Sequence, residues 1–324
     1  MKKTASIVVL ALMAVSAFAQ GKFTWIAATS DDPDKLLPGV DPSKVTGTVV
    51  TAGSSTVYPV SEAMVSMFKE DGFTGQITID SIGSGAGFER FAKAGETDIA
   101  NASVAISATQ VEWAKAIGRT PIEFRIGTDA LAVVVSKKNT FLKDITQAEL
   151  KLAFSTATYW SDVRPSWPKK EIKRFSPGTD SGTFSYFVEH LFKKDKAPLL
   201  GAKNLQLSED DNVLVRGVAD DIYAIGYFGF AYYMENKDKL TVLSVDGIAA
   251  NAANVDAGTY PLARPIFLYS DAKIMNDKPQ VAAFIAYYLT YAAEALKEVG
   301  YFPAPAAETR KAKQAWLAAV KGRY

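Results

Sequence analysis

Residues 48–59 read TVVTAGSSTVYP, and this stretch combines a strand, a polar loop and the start of a helix. The segment 48–51 is rich in β-branched residues, which favours a strand. Small residues follow it, and Pro59 lies in the expected first helical turn, where its missing N–H costs nothing. Apolar residues at helical spacing then continue to Met67.

The same order of strand, Gly/Ser/Thr loop and amphipathic helix occurs twice more. One copy reads IGSGAG at 82–87 and the other TDSGT at 179–183. Unpaired N–H groups at a helix start, beside hydroxyls, favour a bound anion. Ser and Thr also cap helices for structural reasons alone, and that alternative stands for each loop taken singly. Three such loops together predict a site for a tetrahedral oxyanion, and the absence of a P-loop spacing disfavours nucleotides.

Arg174 and Asp180 are the charged candidates beside the third loop. The planar guanidinium of Arg174 suits bidentate binding of phosphate, although a solvated strand arginine is the plain alternative. Asp180 could orient Arg174, accept a proton from a protonated phosphate, or cap the helix. We predict that both residues contact the anion.

Strands and helices alternate over the rest of the chain. Ile122, Phe124 and Ile126 alternate ahead of the apolar run 131–135, and later strand candidates are 172–175 and 240–245. Residues 281–296 are strongly helical. This alternation predicts an α/β architecture of open sheets flanked by helices.

The N-terminus predicts an exported protein. A positive start at 1–3, an apolar run at 6–15 and the small-x-small pattern that ends at Ala19 are typical of a cleaved signal peptide, residues 1–19. No later stretch reaches roughly 18 consecutive apolar residues, the length of a membrane span. Residues 20–46 are broken by prolines and aspartates and are predicted to be an irregular lead-in.

The composition excludes several function classes. The chain has no cysteine and one histidine, His190, so neither a metal site nor a thiol nucleophile is expected. Lys and Arg number 36 against 35 Asp and Glu, and this balance disfavours nucleic acid as a partner. We predict no cofactor and no bound metal.

Several motifs together resemble the phosphate-binding proteins of ABC-type phosphate importers, within the type II periplasmic binding protein superfamily. They cover about 47–305 in order and read GSSTVYP at 53–59, GSGAG at 83–87, TDIANAS at 97–103, Arg174 with DSGTF at 180–184, IGY at 225–227 and YPLARP at 260–265.

The resemblance implies a Venus-flytrap fold, in which two α/β domains joined by a two-strand hinge enclose the anion. The first domain would comprise 47–129 plus 265–324, and the second 130–264. The chain would cross near 128–130 and return near Arg264 and Pro265.

The resemblance also implies the ligand set. A serine, Ser103, stands where some members carry a ligand aspartate, and Val104 stands where another subset carries arginine. The loop between Arg174 and Asp180 is longer than in some members. The predicted phosphate ligands are Ser55, Thr56, Val57, Ser84, Ser103, Arg174, Asp180, Ser181, Gly182 and Thr183.

The sequence therefore predicts a monomeric periplasmic protein that captures phosphate by cleft closure and delivers it to a membrane permease. It is not expected to be an enzyme. The alternatives are a binding protein for sulfate or molybdate, and a secreted phosphatase with Ser55, Ser84 or Ser181 as nucleophile. The phosphatase would need a general base, and His190 lies two helical turns beyond the third loop.

Overall fold

The computed structural model describes residues 21–179 and 181–324 of the chain. Its strands are β1 Thr48–Gly53, β2 Gln76–Ser81, β3 Ile99–Ala102, β4 Pro121–Ser136, β5 Asp144–Ile145, β6 Lys173–Pro177, β7 Leu205–Ser208, β8 Ala224–Gly229, β9 Leu240–Val242, β10 Ser244–Val245, β11 Ala263–Asp271 and β12 Phe302–Pro303.

The helices alternate with these strands, as the sequence predicts. They are α1 Tyr58–Glu70, α2 Ser84–Phe88, α3 Ala108–Ala116, α4 Gln147–Ala153, α5 Trp160–Val163, α6 Gly182–Phe192, α7 Ala197–Leu200, α8 Asp211–Asp220, α9 Phe230–Glu235, α10 Ala252–Asp256, α11 Ala272–Asp277, α12 Pro279–Glu298 and α13 Ala306–Val320. A 3-10 turn, Pro42–Lys44, precedes β1, and a π-helical segment, Glu89–Ala94, extends α2.

The main sheet runs in the order β2-β1-β3-β11-β4-β8-β6-β7. Strand β1 is parallel to β2 and β3, and β6 is parallel to β7 and β8. Strands β4 and β11 are antiparallel to each other and join the two parallel groups. Because the strands within each group are parallel, their carboxyl ends lie at the same end of the sheet. The loops that follow these strands, and the helices that begin there, therefore lie close together.

Strand β4 merges two stretches that the sequence suggested separately, 122–126 and 131–135. Its first half pairs with β11 and its second half with β8. At the crossing, Thr128 pairs with Pro265, Asp129 with Arg264, and Ala130 with Ala263. The two strands that connect the halves thus meet at the residues predicted for the hinge.

Two large hydrophobic cores draw on different parts of the chain. One is formed by residues between Ala130 and Leu262. The other uses residues from Phe23 to Ile126 and then from Ile266 to Val320. The domain boundaries drawn from the sequence stay a prediction, and this separation of cores favours them.

The lead-in segment is irregular but firmly packed. Trp25 is fully buried, stacks on Phe23 and meets Trp316 of α13 edge-on. Lys313 of α13 forms a buried ion pair with Asp32. The lead-in therefore forms part of the core built around α12 and α13.

No helix among residues 21–179 and 181–324 is long and apolar enough to cross a membrane. The predicted signal peptide, 1–19, lies outside the described residues, so its cleavage stays a prediction.

Asp211 at the start of α8 predicts a pH-dependent stability. Burial raises the pKa of its carboxyl to about 6, and the neighbouring charges of Asp210 and Glu209 add to the rise. The unfolded chain ionises this group near pH 4, so the fold loses stability as the pH rises from about 4 to 6, and the full penalty is present above pH 6.

We therefore expect Asp211→Asn to raise the free energy of unfolding by about 1–2 kcal/mol at pH 8 and by much less at pH 4. Urea unfolding at both pH values measures this difference. Asp238→Asn, at an exposed loop position, is the control and should show no such trend. An equal effect of Asp211→Asn at both pH values would contradict the assignment.

Candidate functional site

The first loop turns sharply at Gly53. Its φ is +147°, and a Cβ there would lie 2.0 Å from the carbonyl oxygen of Asn101, so only glycine fits. Ser54 N then donates to the same carbonyl at 2.9 Å. The Ser54 hydroxyl donates to Ser103 Oγ at 3.0 Å and accepts from Thr56 N at 3.2 Å. The loop is thereby held against the end of β3.

The second loop packs directly on the first. Gly83 has a φ of +84°, and its N–H donates to Gly53 O at 2.7 Å. Ser84 Oγ accepts from Ser103 N at 3.1 Å and lies 3.3 Å from Ser103 Oγ. The hydroxyls of Ser54, Ser84 and Ser103 therefore form one cluster where β1 and β3 end.

Arg264 of β11 supplies the positive charge beside this cluster. Its Nη1 donates to Ser103 Oγ at 3.4 Å, and its Nη2 donates to Thr56 Oγ1. Its Nε donates to Asp129 Oδ2 at 3.3 Å across the hinge pair. The guanidinium carbon also lies 3.8 Å from the centre of the Tyr186 ring. These contacts hold the guanidinium in a defined orientation, with a side chain that is only 10% exposed.

The third loop meets the first from the other half of the molecule. Ser181 Oγ accepts from Thr183 N at 3.1 Å and from Phe184 N at 3.4 Å, which caps α6. A Cβ at Gly182 would lie 3.1 Å from Ser55 O, so the two loops are almost in contact. The N-terminus of α6 therefore lies against the first loop at Ser55 and Thr56.

Two carboxylates balance Arg264. Asp129 is fully buried, and burial raises its pKa while the Arg264 guanidinium opposes that rise. Asp129 Oδ1 has no hydrogen-bond partner among the described residues. Glu189 of α6 is half-exposed, with Oε2 at 3.6 Å from Arg264 Nη1 and Oε1 at 3.3 Å from Lys194 Nζ. An incoming anion would replace Glu189 more easily than Asp129, because Glu189 is the accessible partner.

These groups surround a cavity of about 260 Å³, which we call the inner cavity. Hydroxyls and one fixed guanidinium suit a small oxyanion that both donates and accepts hydrogen bonds. In the described part of the chain, no group of three His, Cys, Asp or Glu residues could hold a metal ion. The wall of the inner cavity includes Ser54, Ser55, Thr56, Ser84, Ser103, Glu189, Lys194 and Arg264.

Comparison with known proteins places this cleft in a family. A model of the PBP superfamily domain matches residues 40–291. The chain is 41% identical over 283 residues to protein SphX of Synechococcus elongatus, covering 84% of this chain and 82% of SphX. It is 33% identical over 271 residues to the phosphate-binding protein PstS of Staphylococcus saprophyticus, covering 82% of this chain and 83% of PstS. The chain belongs to the PstS family.

A solved structure supports the same assignment. A possible phosphate binding protein from Planctomyces limnophilus aligns with a TM-score of 0.79 at 34% identity, covering 85% of this chain and 99% of its own. The predicted two-domain α/β binding-protein fold is confirmed. The PstS family comprises binding proteins, so the prediction that the chain is not an enzyme is also confirmed.

The structure brings half of the ten predicted ligand residues of this PstS-family chain together. Ser55, Thr56, Ser84 and Ser103 line the inner cavity. Gly182 lies beside Ser55 at the start of α6. Their roles as phosphate ligands stay predictions.

Other predicted ligands have groups already engaged. Val57 is fully buried, and its N–H donates to Ser54 O at 3.2 Å. The Ser181 hydroxyl caps α6 by accepting a hydrogen bond from the Thr183 N–H, so both groups are already engaged. Asp180 lies outside the described residues, so its role stays a prediction.

The structure contradicts the assignment of Arg174 as a ligand. Arg174 is fully buried on β6, and its guanidinium donates to main-chain carbonyls on several sides. Nε donates to Ala153 O, Nη2 to Ala157 O, and Nη1 to Ile172 O at 3.1 Å and to Lys203 O at 2.6 Å. Burial lowers its pKa to about 10. The side chain points into the core beneath β6, so it ties loops together and no donor faces the cleft.

Sequence reasoning missed Arg264 as the charged group. It lies in the YPLARP motif at 260–265, which was read only as the return of the hinge. Its neighbour Asp129 lies on β4, where the chain first crosses from one half to the other. Asp129 and Arg264 are direct partners in the pairing of β4 with β11. The available signal was an arginine at one hinge crossing and an aspartate at the other.

His190, the candidate base of the phosphatase alternative, is exposed on α6. Its Nε2 lies 2.6 Å from Gln147 Oε1, and its ring packs edge-on against Tyr186 at 5.6 Å between ring centres. These contacts agree with a surface packing role. Among the described hydrogen bonds, none joins this imidazole to Ser55, Ser84 or Ser181.

Proposed function

We propose that the protein binds inorganic phosphate in the inner cavity and delivers it to an ABC-type importer. The observation that carries the proposal is the placement of Arg264. A fixed guanidinium lies against the hydroxyls of Thr56 and Ser103, and Gly182 at the start of α6 lies beside Thr56. Phosphate can accept charge-assisted hydrogen bonds from the guanidinium and bonds from the hydroxyls. The PstS relative and the Planctomyces structure are named for phosphate binding, which supports this ligand.

The ligand shell would combine both halves of the molecule. Thr56, Ser84 and Ser103 supply hydroxyls from the first half, and Arg264 supplies the charge at the hinge. Ser55 and the Gly182 N–H at the start of α6 would complete the shell when the cleft closes. Ser181 would act indirectly, because its hydroxyl orders the helix start.

The β4–β11 pair would serve as the hinge. Only these two strands connect the two parallel groups of the main sheet in its principal order, so rotation about them separates α6 from the first loop. Phosphate in the cleft stabilises the closed form by bridging the halves. A permease that recognises the closed form then receives the ligand.

The cellular setting is part of the proposal. The chain is exported, its signal peptide is cleaved after about Ala19, and the mature protein acts as a periplasmic monomer without nucleic acid. The predicted signal peptide and the near-zero net charge support this setting.

Isothermal titration of the mature protein, unfolded and refolded to remove bound ligand, tests the ligand. We expect one phosphate per chain with a Kd of about 1 µM or lower, equivalent to about −8 kcal/mol. An excess of sulfate should leave the phosphate titration unchanged, because specificity is a difference between the two affinities. If sulfate or molybdate bound and phosphate did not, the assignment of phosphate as the ligand would be wrong. If no oxyanion gave a binding signal, the proposed function would be rejected.

A further inference from the structure

A second cavity of about 290 Å³ lies beside the inner one. We call it the outer cavity, and its wall includes Thr179, Ser185, Lys194 and Lys196. Ser55 and Gly83 line both cavities, as do Glu189 and Lys194. The two cavities therefore adjoin at these four residues.

Inorganic phosphate alone does not account for this space. The inner cavity has a volume of about 260 Å³ and the outer cavity one of about 290 Å³. Phosphate, a single phosphorus with its oxygens, would leave part of the inner cavity and the whole outer cavity to water. The first and third loops are already almost in contact at Gly182, so the space persists with these loops together.

The outer wall is positively charged. Lys193 and Lys194 both have left-handed backbones, with φ of +52° and +74°, a conformation that non-glycine residues rarely adopt. This double turn ends α6 and brings Lys194 Nζ back to 3.3 Å from Glu189 Oε1. Lys196 lines the same cavity two residues later. Two cations thus line the outer cavity, and one of them, Lys196, is not part of the inner wall.

Glu189 lies between the two sources of positive charge. One carboxylate oxygen is 3.6 Å from Arg264 Nη1, and the other is 3.3 Å from Lys194 Nζ. The Glu189 carboxylate therefore bridges the guanidinium of Arg264 and the ammonium of Lys194. A ligand with two linked anionic groups could make the same bridge and displace Glu189.

We propose that the cleft also binds phosphoryl compounds that carry a second anionic group, with condensed phosphates as the simplest case. The first phosphoryl group would occupy the inner cavity at Arg264, as in the proposed function on which this inference rests. The second anionic group would occupy the outer cavity between Lys194 and Lys196, with the hydroxyls of Thr179 and Ser185 beside it.

The test compares three probes by isothermal titration of ligand-stripped protein: phosphate, pyrophosphate and glycerol 3-phosphate. Pyrophosphate carries a second anionic group, whereas the glycerol tail is neutral. Phosphorus NMR of the pyrophosphate stock before and after titration ensures that no orthophosphate is present. The variant is Lys196→Ala, because Lys196 lines only the outer cavity, and its matched control is Lys237→Ala at an exposed position.

We expect pyrophosphate to bind the wild type at least about tenfold more tightly than glycerol 3-phosphate, since charge-assisted contacts distinguish the two. The Lys196→Ala variant should lose at least about threefold in pyrophosphate affinity and less than about 1.5-fold in phosphate affinity. The control variant should bind all three probes like the wild type.

A wild type that binds phosphate but not pyrophosphate overturns this inference and leaves the proposed function intact. Equal loss of phosphate affinity and pyrophosphate affinity in the Lys196→Ala variant also overturns it. A wild type that binds none of the probes rejects the proposed function itself.

Discussion

Replacing Arg264 by alanine should weaken phosphate binding by at least about 100-fold, because two charge-assisted hydrogen bonds of roughly 1.5–3 kcal/mol each are lost. The guanidinium is the fixed charge at the inner cavity, and its neighbours Thr56 and Ser103 cannot replace that charge. Isothermal titration with phosphate measures the loss. Arg264→Lys should recover only part of the affinity, because an ammonium lacks the planar fork.

Arg264→Ala also leaves the Asp129 carboxylate buried without its partner, which lowers the stability of the fold. The loss of phosphate affinity therefore has to be distinguished from a loss of folded protein. Removing one member of a buried pair costs about 3–5 kcal/mol. The double variant Asp129→Asn/Arg264→Gln removes both charges and should recover much of the lost stability without restoring phosphate binding. Arg310→Ala, at an exposed position on α13, should bind like the wild type. Wild-type affinity in a folded Arg264→Ala protein would remove Arg264 from the site.

Replacing Arg174 by alanine should lower the stability of the fold and leave phosphate affinity almost unchanged. We expect a loss of about 3–5 kcal/mol in the free energy of unfolding, because four main-chain carbonyls lose their donors inside the core. Phosphate affinity of the folded fraction should change by less than about threefold. Urea unfolding and titration at low temperature measure the two quantities.

Arg174→Met is the matched variant, since it retains most of the side-chain volume and removes only the donors. It should remain strongly destabilised if the hydrogen bonds dominate, and recover toward the wild type if the cavity dominates. Loss of phosphate binding in a stably folded Arg174 variant would contradict the core position seen in the structure and return Arg174 to the ligand set.

The contrast between these two arginines shows where sequence reasoning stops. Both lie on strands and both stand next to recognisable motifs. Alternation along a strand tells which residues share a face, but it does not tell which face meets the cleft. The face of β6 that carries Arg174 is covered by the C-terminal end of α4 at Ala153 and by the loop around Lys203, and those contacts join residues that are distant in sequence.

Local segments were predicted well, because short-range physics determines them. The stretch 48–59 forms β1, a loop and the first turn of α1, with Pro59 at the position where a helix tolerates it. The apolar stripe after the third loop forms α6, capped by Ser181. The hydroxyls of Ser84 and Ser103 reach the cleft because they follow strand ends on one edge of the sheet.

By itself, then, the sequence determined the α/β class, the three loops and the oxyanion character of the site, since propensity, glycine geometry and helix dipoles act over a few residues. Only the tertiary structure decided which arginine lies against the hydroxyl cluster and which lies in the core. Arg264 meets Asp129 through a strand pairing that spans 135 residues, and Lys194 reaches the cleft through a backbone reversal. Such placements depend on the balance of packing across the whole chain, so no local pattern encodes them.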